Sequence, residues 1–260
     1  MSRDWRPPRF HRVALAVWRR NALVWRRLIA PSLVINFGEP FLYLLGLGYG
    51  LGLFIGTMAD MPYLTFLASG IICASAMNTA SFEGMFSVYT RMVPQKTYDA
   101  MMASPLEVDD IMAGEWLWCA TKSLISASAI LLVAALLGAV QGWQALWVLP
   151  ILFLVGLCFA GPAMAMSAFA PGYDFFNYYL TLIITPMFIL SGVFYPVSAL
   201  PEALQRAVQF LPLTHAVALV RPLVAGQPST GVGLHLAVLA AWAVAGFYLA
   251  VVLVRRRLVV

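Results

Sequence analysis

The chain of 260 residues is 62% hydrophobic and only 10% charged, with a mean hydropathy of +0.85. Soluble domains are about 45–50% apolar and about 25% charged, so this composition lacks the polar groups needed to cover a water-facing surface. It equally excludes a disordered chain, which needs low hydrophobicity and high charge; what remains is a polytopic, all-α integral membrane protein.

The net charge of +5 does not mark a nucleic-acid face, because the cations gather at the ends of the chain. Eight arginines lie between Arg3 and Arg27, and three more stand at Arg255, Arg256 and Arg257, the distribution that retains segments in the cytoplasm. Residues 1–30 predict an amphipathic helix in the plane of the membrane interface. On a helical wheel Arg9, Arg12, Arg19, Arg20, Arg26 and Arg27 share one face, and Phe10, Ala14, Val17, Trp18, Trp25 and Leu28 share the other. A basic face against a tryptophan-bearing apolar face is drawn to anionic lipid. The stretch is too basic and too long for a cleavable leader, the first apolar run beginning only near Pro31.

Residues 31–260 read as one six-span domain. Stretches at 31–56, 63–89, 111–139, 143–170, 175–195 and 231–254 each reach the ~20 helical residues that ~30 Å of hydrocarbon requires. An even count puts both termini on one side. Assigning that side to the cytoplasm also places Arg91 and Lys96 inside; the loop at Gln141 carries no Lys or Arg, and only Arg206 and Arg221 fall outside. Cys73, Cys119 and Cys158 lie in apolar runs at spacings that suit neither a metal nor a disulfide framework. Gly48, Gly52 and Gly56 form a small-residue stripe for close helix packing, within the bundle or with a second copy.

Two polar interruptions stand out. Between the second and third spans, Gln95 to Ala103 predicts a short helix closed by Ser104-Pro105, since a residue before proline avoids the helical region. It sits on the cytoplasmic side, with Met101 and Met102 as adaptable apolar contacts for a partner. The outer segment 196–226 is cut by Pro196, Pro201, Pro212 and Pro222 into pieces too short to cross. Pro201-Glu202 suits a helix start, and two short helices dipping partly into the membrane are expected there as a re-entrant hairpin before the sixth span.

No catalytic constellation is present: there is no H-E-x-x-H, no Cys-His pairing and no G-x-S-x-G, and His11, His215 and His235 lie in three separate elements, so no metal site is expected. Neither lysine, Lys96 or Lys122, completes a phosphate loop, so any ATP-driven motor must be another polypeptide. The intramembrane charges are Glu39 at the start of the first span, Glu83 in the second, and Glu115 and Lys122 in the third. Such groups must pair or face a cavity. Either Glu83–Lys122 or Glu115–Lys122 serves, with a substrate or proton path as the functional alternative. The aromatics Tyr173, Phe175, Phe176, Tyr178 and Tyr179 read as an interfacial belt.

The layout resembles the ABC-2 type exporter permease family. The run Pro212-Leu213-Thr214-His215-Ala216-Val217-Ala218-Leu219-Val220-Arg221-Pro222 looks like that family's signature before the final span. Gln95-Lys96-Thr97-Tyr98-Asp99-Ala100-Met101, the stretch from Glu115 to Lys122, Ala170-Pro171-Gly172-Tyr173-Asp174 and Leu190-Ser191-Gly192-Val193-Phe194-Tyr195-Pro196 resemble its nodulation-factor (NodJ-type) lipo-oligosaccharide branch. The resemblance implies a homodimer in the bacterial inner membrane on two copies of a separate ATP-binding cassette subunit, which would hold ATP and Mg. It makes Gln95 to Ala103 the coupling helix, with Gln95, Lys96, Thr97, Tyr98, Asp99, Met101 and Met102 toward the ATPase, and an amphipathic glycolipid-like substrate moved outward. The alternatives are a drug-efflux permease of the same fold and a membrane enzyme acting on lipid-linked sugar. For the latter, Asp109-Asp110 is the one candidate acid pair, and it more simply caps the third span.

Overall fold

A computed structural model describes residues 5–27 and 41–258; Leu28, Glu39 and most of the expected entry into the first span lie outside the described residues. In chain order the helices are α1 (Ala14–Arg26), α2 (Phe41–Ile55), α3 (Tyr63–Met92), α4 (Thr97–Met102), α5 (Val108–Leu136), α6 (Trp143–Phe169), α7 (residues 173–190), α8 (Glu202–Val208), α9 (Pro212–Val224) and α10 (Val232–Leu258). A two-residue β-hairpin, Thr57–Met58 on Met61–Pro62, turns through Ala59 and Asp60, both at positive φ, and links α2 to α3.

Among the described residues four helices, α3, α5, α6 and α10, are long and apolar enough to cross a membrane, and a fifth crossing results if the bent pair α8 and α9 is one span. The protein is a mostly helical multi-pass membrane protein. The expected fifth span takes another form. Its helical run stops at Leu190, short of Tyr195, and contains a π-helical stretch, Leu180–Ile184, just before Pro186. Proline offers no amide N–H to the helix ladder and its ring crowds the preceding turn, and a widened turn is one way to absorb both.

α3 is the central helix, buried continuously from Thr65 to Met77. Its run of Ala, Ser, Gly, Cys and Thr is the reason, because small side chains let neighbouring backbones close in. α2, α5, α6 and α9 pack around it, and Ser123 Oγ donates to the Ala76 carbonyl at 2.9 Å. α6 and α10 cross at Gly246, where an added Cβ would lie 2.5 Å from Pro162 Cδ. Of the glycine stripe, Gly48 and Gly52 face α3 inside the bundle, while Gly56 has nothing nearby.

The N-terminal helix rests one side on protein. Ala14, Val17 and Asn21 are buried against α5, Trp18 Nε1 donates to Thr121 Oγ1 at 3.0 Å, and Trp25 packs edge-on against Trp118. At Gly114 an added Cβ would meet the Ala14 carbonyl at 2.6 Å, so the glycine seats α1 directly on the α5 backbone. Part of the apolar surface is thus covered by protein, while Phe10, Leu15, Leu23 and Val24 stay exposed. Arg12, Arg19, Arg26 and Arg27 remain exposed on the far side, as the wheel predicts.

Candidate functional site

The polar core of the molecule forms where α1, α3 and α5 meet. α3 becomes π-helical over Glu83–Ser87, a local widening that often accompanies functional side chains. Glu83 Oε2 accepts from Lys122 Nζ at 2.7 Å, and Oε1 accepts from Arg91 Nη2 at 2.7 Å and Trp118 Nε1 at 3.0 Å. Arg91 reaches Glu115 Oε2 with Nη1 at 3.2 Å, and Asn21 Nδ2 donates to the same oxygen at 2.9 Å. Lys122 therefore pairs with Glu83 rather than Glu115. The partner of Glu115 is Arg91, which the sequence offered only as a topology marker.

Beneath this cluster lies α4. Tyr98 is fully buried, its hydroxyl beside the equally buried Glu115 carboxylate. Burial first, then the neighbouring Glu115 carboxylate, holds the Tyr98 phenol well above its ordinary range. Met101 and Met102 are half-buried against the core, not open as the sequence suggested. The exposed surface of the segment is instead Gln95, Lys96, Asp99, Ala100 and Ala103, with Thr97 half-buried. Lys96 enters the helix at a left-handed φ of 48°.

An open cleft of about 340 Å³ adjoins the cluster, walled by Arg20, Asn21, Trp25, Glu83, Arg91 and Lys122, with Gln95 at its edge. A second polar knot holds the start of α5, where Glu107 and Asp110 form a capping box. Arg255 of α10 binds Asp109 through Nε at 2.6 Å and also through Nη2. The Arg9 amide donates to Asp109 at 2.9 Å, and His11 lies 3.0 Å from Asp110. Arg257 Nη1 donates to the carbonyls of Ser167, Ala168 and Ala170, closing the C-terminal end of α6. Arg255 and Arg257 thus make specific contacts within the bundle. No sequence signal named their partners.

The segment expected as an outer hairpin folds as two short helices: α8 and α9 meet at 89°, with Pro201 before α8 and Pro212 opening α9. Glu202 is exposed beside Arg206, and the Thr214 hydroxyl is buried without a partner. His215 Nε2 lies 2.7 Å from the Gln209 carbonyl, and its Nδ1 lies 2.7 Å from His235 Nδ1. Arg221 donates to the Gly192 carbonyl at 2.6 Å and to Ser69 Oγ at 3.0 Å, its guanidinium stacked 3.5 Å over Phe66. It ties the hairpin to both α3 and the turn after α7. Among the described residues no group of His, Cys, Asp and Glu could hold a metal ion.

Residues 11–224 match the family model described as ABC-2 type transporter. The chain belongs to the ABC-2 type transporter family. It is similar to Nodulation protein J of Rhizobium leguminosarum bv. viciae, at 44% identity over 94% of each chain. Nodulation protein J of Rhizobium meliloti (strain 1021) is 41% identical over 94% of this chain and 93% of its own. More distantly, the chain is similar to the inner membrane transport permease YadH of Escherichia coli (strain K12), at 22% identity over 78% of each. This ABC-2 type chain is therefore a membrane transport permease rather than an enzyme. The family match takes in α4, the Glu83–Arg91–Glu115–Lys122 cluster and the outer hairpin.

Proposed function

We propose that this permease is the membrane-spanning subunit of an ATP-driven exporter. Two copies would stand on two copies of a separate ATP-binding cassette subunit, which carries ATP and Mg, and move an amphipathic glycolipid or lipo-oligosaccharide outward. In this reading α2 and α7 complete six spans in the bacterial inner membrane with both termini in the cytoplasm, α4 is the coupling helix and the outer hairpin closes the exit. The nodulation proteins among its relatives support the substrate class.

The observation that carries the proposal is the mounting of α4. It joins α3 directly to α5, and Tyr98 is wedged beside Glu115, whose carboxylate is held by Arg91 of α3. A push on α4 therefore reaches both long helices through a rigid charged joint. The exposed face at Asp99, Ala100 and Ala103 is free to meet a partner.

The test changes that face alone. Ala100→Glu with Ala103→Glu should abolish co-purification of an ATP-binding subunit and ATP-dependent export from inverted vesicles, while the chain still inserts. Gln141→Glu, on an exposed loop elsewhere, serves as control. Normal co-purification and export by the double variant would overturn the docking assignment.

A further inference from the structure

The cleft beside the charged cluster is richer in donors than in acceptors. Arg20, Arg91 and Lys122 line it with Glu83; Glu83 and Glu115 balance Arg91 and Lys122, which leaves Arg20 as the surplus charge. Both Glu83 oxygens are already engaged, whereas Lys122 spends one of its three N–H groups on Glu83. Arg20 donates through Nη1 to Asn21 and, among the described residues, has no carboxylate partner. Trp25 Nε1 is out of solvent with no acceptor. A buried donor without an acceptor is costly, and the Trp25 indole stands beside the further N–H groups that Arg20 and Lys122 bring to the same cleft. A ligand that satisfies them must present several acceptor oxygens and negative charge, as a phosphate does.

The level of the cleft says what that phosphate is attached to. α3 and α5, of 30 and 29 residues, run about 45 Å at ~1.5 Å per residue, well beyond the ~30 Å of a hydrocarbon core. Roughly ten residues of each must therefore project, and α1 lies against the stretch of α5 from Gly114 to Thr121. An amphipathic helix settles at the headgroup boundary, which sets the cleft at that boundary too. Its aromatic wall continues outward: Phe86 stacks on Phe82 at 5.5 Å and on Tyr173 at 6.2 Å, and Phe82 and Tyr173 are exposed.

We infer that the cleft between α1, α3 and α5 seats the phosphate headgroup of a membrane amphiphile, with Arg20, Lys122 and Trp25 as its donors. The site stands apart from the docking face of α4 and does not depend on an ATP-binding partner.

The purified full chain in neutral detergent tests this without a partner present. Thermal unfolding and native mass spectrometry are followed against short-chain phosphatidic acid, short-chain phosphatidylcholine and inorganic phosphate. Phosphatidic acid should bind and raise the melting temperature, while phosphatidylcholine and inorganic phosphate do so at least about tenfold more weakly. Arg20→Gln and Trp25→Phe should each weaken phosphatidic acid binding, and Arg19→Gln, the same charge change on the exposed face, should not. Equal loss in Arg19→Gln and Arg20→Gln would mean diffuse surface attraction and overturn the site. Equal binding of phosphatidylcholine would overturn the requirement for net negative charge, and equal binding of inorganic phosphate would mean a free-anion site rather than an amphiphile site.

Discussion

Lys122 Nζ sits 2.7 Å from Glu83 Oε2 and joins α5 to a carboxylate that Arg91 already holds from within α3. Two acids and two bases, shared between two helices, make a balanced group in which no charge can be removed alone. Breaking a buried pair by removing one partner costs about 3–5 kcal/mol, because the other charge is left uncompensated. Glu83→Gln strands Lys122 and leaves Arg91 with Glu115 alone, whereas Lys122→Met leaves Glu83 still bound to Arg91. The expected order of melting temperature in detergent is wild type, then Lys122→Met, then Glu83→Gln. The reverse order would show that the cluster is not organised around Glu83.

At the other end of the bundle, Arg221 should latch the outer hairpin. Arg221→Lys keeps the charge but loses the planar contacts to Gly192, Ser69 and Phe66. Hydrogen bonds to charged groups are worth about 1.5–3 kcal/mol, so opening should become roughly ten- to a hundredfold more frequent. A cysteine replacing buried Ser191 reports it: labelling by a thiol reagent should accelerate in the Arg221→Lys background. Unchanged labelling would place the latch elsewhere.

Tyr98 makes a prediction with a pH sign. The folded phenol titrates well above the ordinary value of 10.0, first through burial and then through Glu115. The folded state thus keeps a proton that the unfolded state releases, so stability is full below pH ~10 and falls as pH rises beyond it. Melting curves across that range should show wild type declining more steeply than Tyr98→Phe.

Orientation is tested at two exposed glutamines, Gln95 beside α4 and Gln141 between α5 and α6. A cysteine at Gln141 should react with an impermeant thiol reagent added outside intact cells, and one at Gln95 should not. Labelling of both, or the reverse, would sink the six-span arrangement.

How legible the molecule was in its sequence depends on the kind of contact. Hydropathy located α3, α5, α6 and α10 because a long apolar run has few other uses, and the prolines at 201 and 212 marked the bent outer pair. Amphipathicity showed that α1 covers one face, but not with what; Gly114, the residue that lets α5 do the covering, looked like any other glycine in an apolar run. Glu83, Glu115 and Lys122 announced that they needed partners. Which partners they took depended on the π-helical turn at Glu83, which shifts the helical phase between Glu83 and Arg91 and has no reliable sequence signature. Tyr98 and the two methionines of α4 were read as outward because a short polar helix suggests exposure, whereas its inner side is covered by neighbours distant in sequence.

The bond between Asp109 and Arg255 also has a consequence for biogenesis. The acid stands at the start of α5 and its base near the end of α10, so the ribosome delivers the two halves of the contact far apart in time. Until α10 emerges and threads into place, the start of α5 carries an acid without its arginine, and α6 lacks the clasp that Arg257 supplies. Final assembly is therefore a late event that only a chain translated through α10 can complete. A stalled or clipped product would leave these polar ends uncovered at the membrane surface, where a quality-control protease can distinguish it from the finished bundle.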